Sequence, residues 1–354
     1  MESLVEALSL WRGKRVFITG HTGFKGGWLS LWLTELGAEV FGYALAPVTA
    51  SNLFDELSLE PRLAKSTLGD IRNVDDLKTA MRAADPEVVI HMAAQPLVRQ
   101  GYLDPLATYE TNVMGTCNVL HLAAQHSGAK AVLVVTTDKC YENREWTWPY
   151  RESDPLGGHD PYSSSKACAE IATSAFSRSF LQSAGIWAAS ARAGNVIGGG
   201  DWSADRLIPD LWRSYETGEP VKIRLPHATR PWQHVLEPLA GYLLLSGALL
   251  AEGKSFHGAW NFGPDSNDVR SVSAMADQFC SYLPGLSWEL GPSPSLHEST
   301  SLALDSSKAR AALGWTPRWT AQKALEMTAD WFKAYQAGSD MYEFSAGQIR
   351  DYMT

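Results

Sequence analysis

The sequence of 354 residues predicts an α/β fold, a doubly wound parallel sheet of the Rossmann type with a smaller, interleaved C-terminal lobe. Through the first half of the chain, short apolar runs alternate with segments of helical periodicity, as in parallel sheets covered by helices on both faces. A glycine-rich run, Gly20 to Gly26, directly follows the first apolar run and opens a helix. After Asn195 prolines become frequent and the alternation stops, which indicates a second lobe.

Each element follows from its local pattern: runs rich in Val, Ile and Phe predict strands, and apolar residues three and four apart predict helices. The predicted strands are residues 15–19, 39–44, 88–91, 131–137, 187–192 and 259–262, with a short strand closed by Asp70-Ile71. The predicted helices are residues 28–36, 53–58, 74–83, 108–127, 162–182 and 235–250; beyond residue 266 we expect mostly short helices and loops. We therefore assign residues 1–195, joined by 232–265, to the sheet domain, and residues 196–231 and 266–354 to the smaller lobe.

The composition limits the function. Hydrophobic residues at 45% and charged residues at 19% are typical of a globular protein with an ample core. The net charge of −9 argues against a general nucleic-acid binder, which carries a basic face. The longest apolar run, residues 239–251, is too short to cross a membrane, and residues 1–14 lack the pattern of a signal peptide. The 4 cysteines have no zinc-site spacing, so we expect free thiols, no metal and a cytoplasmic location.

The run Thr19-Gly20-His21-Thr22-Gly23-Phe24-Lys25-Gly26 predicts a dinucleotide site. Glycines at this spacing permit a tight turn, close approach of the backbone to a pyrophosphate, and close packing of helix on strand. The N–H groups at the start of the helix then bind the anion. We assign this role to Gly20, Gly23, Phe24, Lys25 and Gly26.

Two further segments are placed to hold the same cofactor. Asp70 and Ile71 follow the third strand, where they can contact the adenine, and Ala93 and Ala94 leave room for the cofactor after the fourth strand. Residues 42–46, after the glycines, contain neither the carboxylate that binds a ribose nor an arginine for a 2′-phosphate. The pattern favours NAD, and NADP stays open.

A candidate catalytic set follows the fifth strand. Thr137 ends that strand, and Tyr162 and Lys166 lie one turn apart on one face of the next helix. The charge of Lys166 is expected to lower the pKa of Tyr162, which would make the phenol a usable base. Thr137 can hydrogen-bond the same substrate hydroxyl.

With Asn112 added, these residues resemble the extended short-chain dehydrogenase/reductase family over essentially the full length of the chain. Thr137-Asp138-Lys139 is similar to the catalytic triplet of its nucleotide-sugar 4,6-dehydratases. Residues 20–28, 137–143, 145–146 and 230–234 resemble the branch that acts on CDP-glucose. The resemblance implies bound NAD with Asn112 among its contacts, a sugar-nucleotide site in the smaller lobe, and a homodimer or homotetramer that pairs the helices of Thr108 and Tyr162.

The same resemblance implies a redox-neutral lyase that converts CDP-D-glucose to CDP-4-dehydro-6-deoxy-D-glucose and water. Tyr162 takes the C4 hydroxyl proton as hydride passes to NAD, water leaves across C5 and C6 with Asp138 as the acid, and hydride returns to C6. Lys139 stands where related enzymes have a glutamate base. A lysine of ordinary pKa, about 10.4, is a poor base at neutral pH. Lys139 is therefore either a base of lowered pKa or a charged group that stabilises the enolate.

The resemblance also assigns substrate contacts. Arg230 is similar to the arginine that grips the sugar diphosphate, and Asn195 to an asparagine that contacts it; Arg206 is a further anion candidate, with an ordinary surface charge as the alternative. Other readings are a dehydratase or 4-epimerase of a dTDP-, UDP- or GDP-sugar, and a non-catalytic dinucleotide-binding regulator. An epimerase needs no acid for C6, and a regulator needs no complete Thr137, Tyr162 and Lys166 set.

Overall fold

A seven-stranded parallel sheet forms the centre of the protein. The computed structural model describes residues 3–292 and 301–354. Its strands are β1 (Arg15–Thr19), β2 (Glu39–Ala44), β3 (Lys65–Leu68), β4 (Val88–His91), β5 (Ala131–Val135), β6 (Trp187–Ala193), β7 (Val196–Ile197), β8 (Val221–Ile223), β9 (Thr229–Arg230), β10 (Gln233–His234), β11 (Gly258–Phe262), β12 (Arg270–Ser271) and β13 (Trp288–Leu290). The large sheet has the order β11-β6-β5-β4-β1-β2-β3, and the other strands form short pairs. The predicted fold class is confirmed.

Helices cover both faces of this sheet. They are α1 (Leu4–Leu8), α2 (Phe24–Glu35), α3 (Leu53–Glu56), α4 (Val74–Ala84), α5 (Val98–Leu103), α6 (Pro105–Tyr109), α7 (Gly115–Ala124), α8 (Pro161–Phe176), α9 (Leu207–Thr217), α10 (Leu236–Glu252), α11 (Val272–Tyr282), α12 (Ser307–Leu313), α13 (Ala321–Gln336) and α14 (Met341–Met353). π-helical turns at residues 110–114 and 177–181 break the two long helices predicted at 108–127 and 162–182. The expectation of mostly short elements beyond residue 266 is wrong for α13 and α14.

The core lies on both sides of the sheet because its strands are buried on both faces. Val16 and Ile18 belong to one apolar cluster, whereas Phe17 between them belongs to the other. The first cluster also contains Trp32 of α2 and Tyr352 of α14, whose ring centroids are 5.6 Å apart. Because α14 shares this core with α2, the C-terminal helices brace the helix that follows the glycine turn.

The order of the strands fixes the place of the functional site. The chain winds outward in one direction from β1 through β2 to β3 and in the other through β4 and β5. In such sheets ligands bind outside the carboxyl ends of the strands, where the winding reverses. Here that point lies between β1 and β4, beside the glycine turn. Within residues 3–292 and 301–354, no helix has the length and apolar character needed to cross a membrane.

Candidate active site

A cleft of about 670 Å³ opens at the carboxyl ends of the strands. It is lined by segments from the sheet and from the loops after β7 and β9. All but one of the residues predicted for the cofactor, the substrate and catalysis line it: Gly20, Gly23, Phe24, Lys25, Gly26, Asp70, Ile71, Ala93, Ala94, Thr137, Asp138, Lys139, Tyr162, Lys166, Asn195, Arg206 and Arg230. One cleft thus brings the predicted redox and substrate residues together.

The glycine turn leaves its backbone open to the cleft. Gly20 has φ of +83°, and a Cβ atom there would lie 2.8 Å from the amide nitrogen of Ala93. A Cβ on Gly26 would collide with the carbonyl oxygen of Gly20. Gly23 begins α2 without a side-chain cap, so the amides of the first helical turn are available to an anion. The uncapped helix start therefore suits a pyrophosphate, and a side chain at Gly20 or Gly26 would disrupt the turn because it would collide with neighbouring backbone.

The far end of the cleft holds the pair Asp70 and Arg72. Arg72 donates to both carboxylate oxygens of Asp70, with Nη2 to Oδ2 at 2.6 Å and Nε to Oδ1 at 3.1 Å. The hydrogen bonds from Arg72 lower the pKa of Asp70. Arg72 also lies 3.5 Å from Glu110. Because Arg72 is held between two carboxylates, its charge is largely neutralised.

Asn112 is the one predicted site residue that does not line the cleft. Its side chain is buried, accepts from the amide of Gln95 at 2.8 Å, and donates to the carbonyl of Gln95 at 3.0 Å and to Oγ of Ser165 at 2.9 Å. These bonds fasten the loop after β4 to α8. Asn112 therefore positions the site from behind.

Asp138 is a buried carboxyl at the end of the catalytic strand. Its side chain is 3% exposed, and Oδ1 accepts from the Thr137 hydroxyl at 2.9 Å. Among the described residues, Oδ2 has no hydrogen-bond partner. Burial raises the pKa of Asp138, against the opposing effects of Lys139, Thr137, Arg230 and Lys25. The arrangement suits a proton donor.

Lys139 lies beside this carboxyl and is half-buried. Its charge is the largest influence that opposes the raised pKa of Asp138. The same 3₁₀ turn, Asp138–Cys140, holds both side chains at the cleft. Asp138, the predicted acid, and Lys139, whose role at C5 the sequence leaves open, are therefore adjacent in the cleft.

Burial is the largest influence on the pKa values of Tyr162 and Lys166. It raises the pKa of Tyr162 to about 12, although Thr137 and Arg206 act in the opposite direction. The ammonium of Lys166 donates to the carbonyl oxygen of Val135 at 3.2 Å. The expected lowering of the Tyr162 pKa by Lys166 is thus wrong for this structure, because the groups that lower it are Thr137 and Arg206, and the cost of a buried phenolate outweighs their effect.

Lys25 reaches further into the site than its cofactor assignment requires. Burial, together with Arg206 and Lys166, lowers the pKa of Lys25 to about 8, and Asp138 raises it. These three partners all line the same cleft. Sequence reasoning missed this electrostatic contact with Asp138, since nothing in the glycine motif shows where a side chain of α2 ends.

Helix α5 and the loop before α9 meet at the cleft. Nη1 of Arg99, on α5, lies 3.0 Å from Oδ1 of Asp205, in the loop before α9. Asp205 has φ of +59°, in the left-handed region, and directly precedes Arg206, which lies 3.6 Å from Asp201. Sequence reasoning missed the Arg99–Asp205 pair, because the partners lie far apart in the chain without a shared motif.

Comparisons with known proteins agree with this geometry. A model of the NAD dependent epimerase/dehydratase family matches residues 16–255. The chain is 51% identical over 352 residues to the CDP-glucose 4,6-dehydratase of Salmonella typhimurium (strain LT2), with 98% of each chain covered.

Two solved structures share the fold. A dTDP-glucose 4,6-dehydratase from Streptomyces venezuelae, crystallised with NAD, has a TM-score of 0.77 at 23% identity and covers 93% of this chain and 99% of its own. A UDP-glucose 4-epimerase from Thermotoga maritima has a TM-score of 0.78 at 21% identity and covers 91% and 99%. The match over residues 16–255 and the 51% identity show that the chain belongs to the NAD dependent epimerase/dehydratase family.

Proposed function

We propose that the chain is a CDP-glucose 4,6-dehydratase, which converts CDP-D-glucose to CDP-4-dehydro-6-deoxy-D-glucose and water. The single observation that carries this proposal is the buried carboxyl of Asp138 between Thr137 and Lys139, in the cleft that also holds Tyr162. A simple alcohol dehydrogenase or an epimerase has no use for this acid. The relative of 51% identity carries the same activity in its name.

The cofactor of the proposed reaction is NAD, held by the turn Gly20–Gly26 with Ala93 and Ala94 beside it. The tight turn that Gly20 and Gly26 permit is the observation that fits it, since a Cβ at either position would collide with neighbouring backbone and disrupt the turn that leads into the uncapped start of α2. When bound, NAD supplies the oxidant for C4 of the sugar and the reductant for C6. Residues Asp70 and Ile71 are proposed to contact the adenine end.

Tyr162 is proposed to take the proton of the C4 hydroxyl, with Thr137 as the second hydrogen-bond partner of that oxygen. The form that accepts this proton is the phenolate of Tyr162, which burial disfavours by raising the pKa to about 12. Arg206 opposes that shift and thus favours the phenolate. Lys166, whose pKa burial lowers to about 8, keeps most of its charge at neutral pH.

Asp138 is proposed to protonate the departing C6 hydroxyl. Burial raises the pKa of Asp138 and so favours its protonated form, Thr137 orients one oxygen, and the other oxygen is left for the substrate. Once that proton has gone, the positive charges of Lys139, Arg230 and Lys25 stabilise the carboxylate. Lys139 is proposed to act at C5, as the base or as the charge that stabilises the enolate.

The substrate diphosphate is proposed to bind Arg230 and Arg206, with Asn195 beside them. Arg230 donates to the carbonyl of its neighbour Thr229 at 2.9 Å and still lines the cleft. A guanidinium suits a diphosphate because its donors are arranged in a planar fork.

A homodimer, alone or doubled to a homotetramer, is part of the proposal. Large apolar side chains are exposed along α5, α6, α8 and the turns that continue them: Leu103, Leu106, Met114, Ile171 and Phe180. A second copy of the chain would cover this surface. A cytoplasmic location is also proposed, because all four cysteines are free thiols, as expected in a reducing compartment.

One assay separates the candidate functions. The protein is incubated with CDP-, dTDP-, UDP- and GDP-glucose, and the products are examined for the alkali-induced absorbance of a 4-keto-6-deoxy sugar. We expect that product from CDP-glucose at the highest kcat/KM. A 4-epimer with no keto product would favour the epimerase alternative, and no turnover of any sugar nucleotide would refute the proposed lyase.

A further inference from the structure

A buried ion pair lies behind the catalytic residues and outside the cleft. Nη2 of Arg192, on β6, donates to Oε2 of Glu170, on α8, at 2.8 Å, and both side chains are 3% exposed. Neither residue lines the cleft. A buried pair of this kind is weak evidence for stability, because apolar side chains of similar volume often serve as well. We therefore look for the role of this ion pair in the other hydrogen bonds that its two side chains make.

Glu170 holds the start of the catalytic turn. Its Oε1 accepts from the hydroxyl of Thr136, the residue directly before Thr137, and its Oε2 accepts from Ser190 at 2.5 Å. Thr136 is also tied to β6 through its amide, which donates to the carbonyl of Ala191 at 2.9 Å. The strand end that carries the catalytic hydroxyl is thus anchored to α8.

Arg192 holds the end of the same turn. Its Nη1 donates to the hydroxyl of Tyr141 at 2.7 Å, and its guanidinium lies 4.8 Å from the centroid of that ring. Tyr141 in turn donates to Oδ1 of Asn261 at 2.7 Å. Because Tyr141 follows the 3₁₀ turn Asp138–Cys140, the two members of the ion pair hold the two ends of the segment with the acid and the lysine.

The pair also links this turn to the catalytic helix. Glu170 lies one turn after Lys166 and two turns after Tyr162 on α8, so the three side chains share a face. Movement of α8 relative to the turn would break the bonds of Glu170 to Thr136 and Arg192.

We propose that Glu170 and Arg192 are positioning residues, which fix the turn of Thr137, Asp138 and Lys139 relative to Tyr162 and Lys166. The inference rests on the catalytic roles given in the proposed function. It adds that one buried ion pair aligns the proposed acid Asp138, on the 3₁₀ turn, with the proposed base Tyr162, on α8.

A charge effect accompanies this geometry. The titratable groups that act on or respond to Lys166 are Glu170, Cys140, Lys25 and His91. Burial lowers the pKa of Lys166, and Glu170 is the carboxyl that raises it. Loss of Glu170 removes that support, so Lys166 loses its proton at lower pH. A positioning variant should therefore show an alkaline limb of the kcat profile that is displaced to lower pH.

The test replaces the pair by apolar side chains. We expect Glu170→Leu combined with Arg192→Met to fold and retain NAD, since both members of the ion pair are removed and neither is left as a buried charge without the other. We expect kcat to fall on the order of 100-fold, as for other misplaced reacting groups. The matched control is Lys14→Met with Glu87→Leu, an ion pair of 2.9 Å outside the cleft. Its kcat should stay within about threefold of wild type.

If the apolar double variant does not fold, Thr136→Val combined with Tyr141→Phe decides, because it cuts the two anchors and leaves the ion pair in place. We expect it to lower kcat on the order of 10-fold with unchanged NAD content. For Glu170→Leu with Arg192→Met, a kcat within about threefold of wild type and an unmoved alkaline limb would overturn the inference. For Thr136→Val with Tyr141→Phe, which keeps Glu170, a kcat within about threefold of wild type is enough to overturn it. Wild-type turnover tests the proposed function separately. If that fails, a crystal structure of the folded variant still shows whether Thr137 and Tyr162 have moved apart, and an unchanged separation overturns the inference.

Discussion

The hydroxyl of Thr137 donates to Oδ1 of Asp138 at 2.9 Å, and this bond orients a carboxyl whose other oxygen has no partner among the described residues. Thr137 and Asp138, which are adjacent in the chain, therefore have different roles. Thr137 fixes the carboxyl, and burial raises the pKa of Asp138, which favours the protonated form. A general acid for the loss of water from C6 needs both properties.

The first prediction concerns Asp138→Asn, which keeps the shape of the side chain and removes its acidic proton. Oxidation at C4 should still occur and elimination should stall, so the absorbance of reduced nicotinamide should persist after CDP-glucose is added. We expect kcat to fall by about 10²–10⁴-fold. The control is Asp330→Asn, an exposed aspartate on α13. Elimination at the wild-type rate in Asp138→Asn would show that another group supplies the proton.

A second prediction separates the two roles of Lys139. Lys139→Ala should slow elimination by at least about 10²-fold in either role, because both act on the C5 proton or the charge that its loss creates. Lys139→Arg should restore a large part of the rate if the lysine only stabilises charge, and none if it is the base, because arginine does not deprotonate. Rapid-quench analysis of the 4-keto products measures each rate. Wild-type elimination in Lys139→Ala would exclude Lys139 from the step.

A third prediction concerns the pair Arg99 and Asp205, which joins α5 to the loop before α9 at the cleft. Arg99→Gln and Asp205→Asn should each raise KM for CDP-glucose about threefold with little change in kcat, since the loop before α9 also carries Arg206. Asparagine is chosen because it tolerates the left-handed backbone at this position.

The double variant of this pair should be no worse than either single one, with an interaction free energy of about 0.2–1 kcal/mol, as for other exposed pairs. Lys323→Gln with Glu326→Gln, an ion pair on α13, is the control and should leave KM unchanged. Fully additive increases in KM would mean that Arg99 and Asp205 act independently.

A fourth prediction concerns stability and pH. Glu237, on α10, is fully buried and accepts from the amides of Arg318 and Trp319 and from the hydroxyl of Tyr352. Burial raises its pKa from 4.5 to about 7. The folded state therefore binds the proton more tightly than the unfolded state, and the stability from this group is present below pH 4.5 and lost as the pH rises through 7.

Glu237→Gln should exceed the free energy of unfolding of wild type in urea by roughly 1 kcal/mol at pH 5 and by roughly 3 kcal/mol at pH 8, because the shift from 4.5 to about 7, at about 1.4 kcal/mol for each unit of pKa, has its full effect only above pH 7. The comparison with wild type at each pH cancels the opposite contribution of the buried His91 and His234, whose pKa values burial lowers to about 3. Glu343→Gln, an exposed glutamate on α14, is the control. An equal difference at both pH values would contradict the prediction.

Much of this site could be predicted from the sequence because its motifs are local. The glycine run, the strand end at Thr137 and the spacing of Tyr162 and Lys166 each fit within a single turn or helix, and their chemistry follows from that spacing. The parallel sheet was predictable for the same reason, since its strands other than β3 (Lys65–Leu68) are largely apolar runs. These features depend on residues close together in the chain.

Other features depend on packing between distant segments. The raised pKa of Tyr162 comes from burial beneath loops that lie far along the chain, and no local pattern reveals it. The Glu170–Arg192 pair joins a helix to a strand, and the Arg99–Asp205 pair joins a helix to a loop. Helix α13 is different, because its Thr320 cap and its helix-forming residues are local features from which its length could have been predicted.

The proposed reaction moves the hydrogen at C4 of the sugar to C6 of the same sugar, while C6 loses its hydroxyl group as water. The measurement is NMR and mass spectrometry of the product formed from CDP-glucose that carries deuterium at C4. We expect a 4-keto product whose mass is that of the labelled substrate less one water molecule, with the deuterium in the new C6 methyl group. A product that keeps its C6 hydroxyl, or a methyl group without the label, would contradict it.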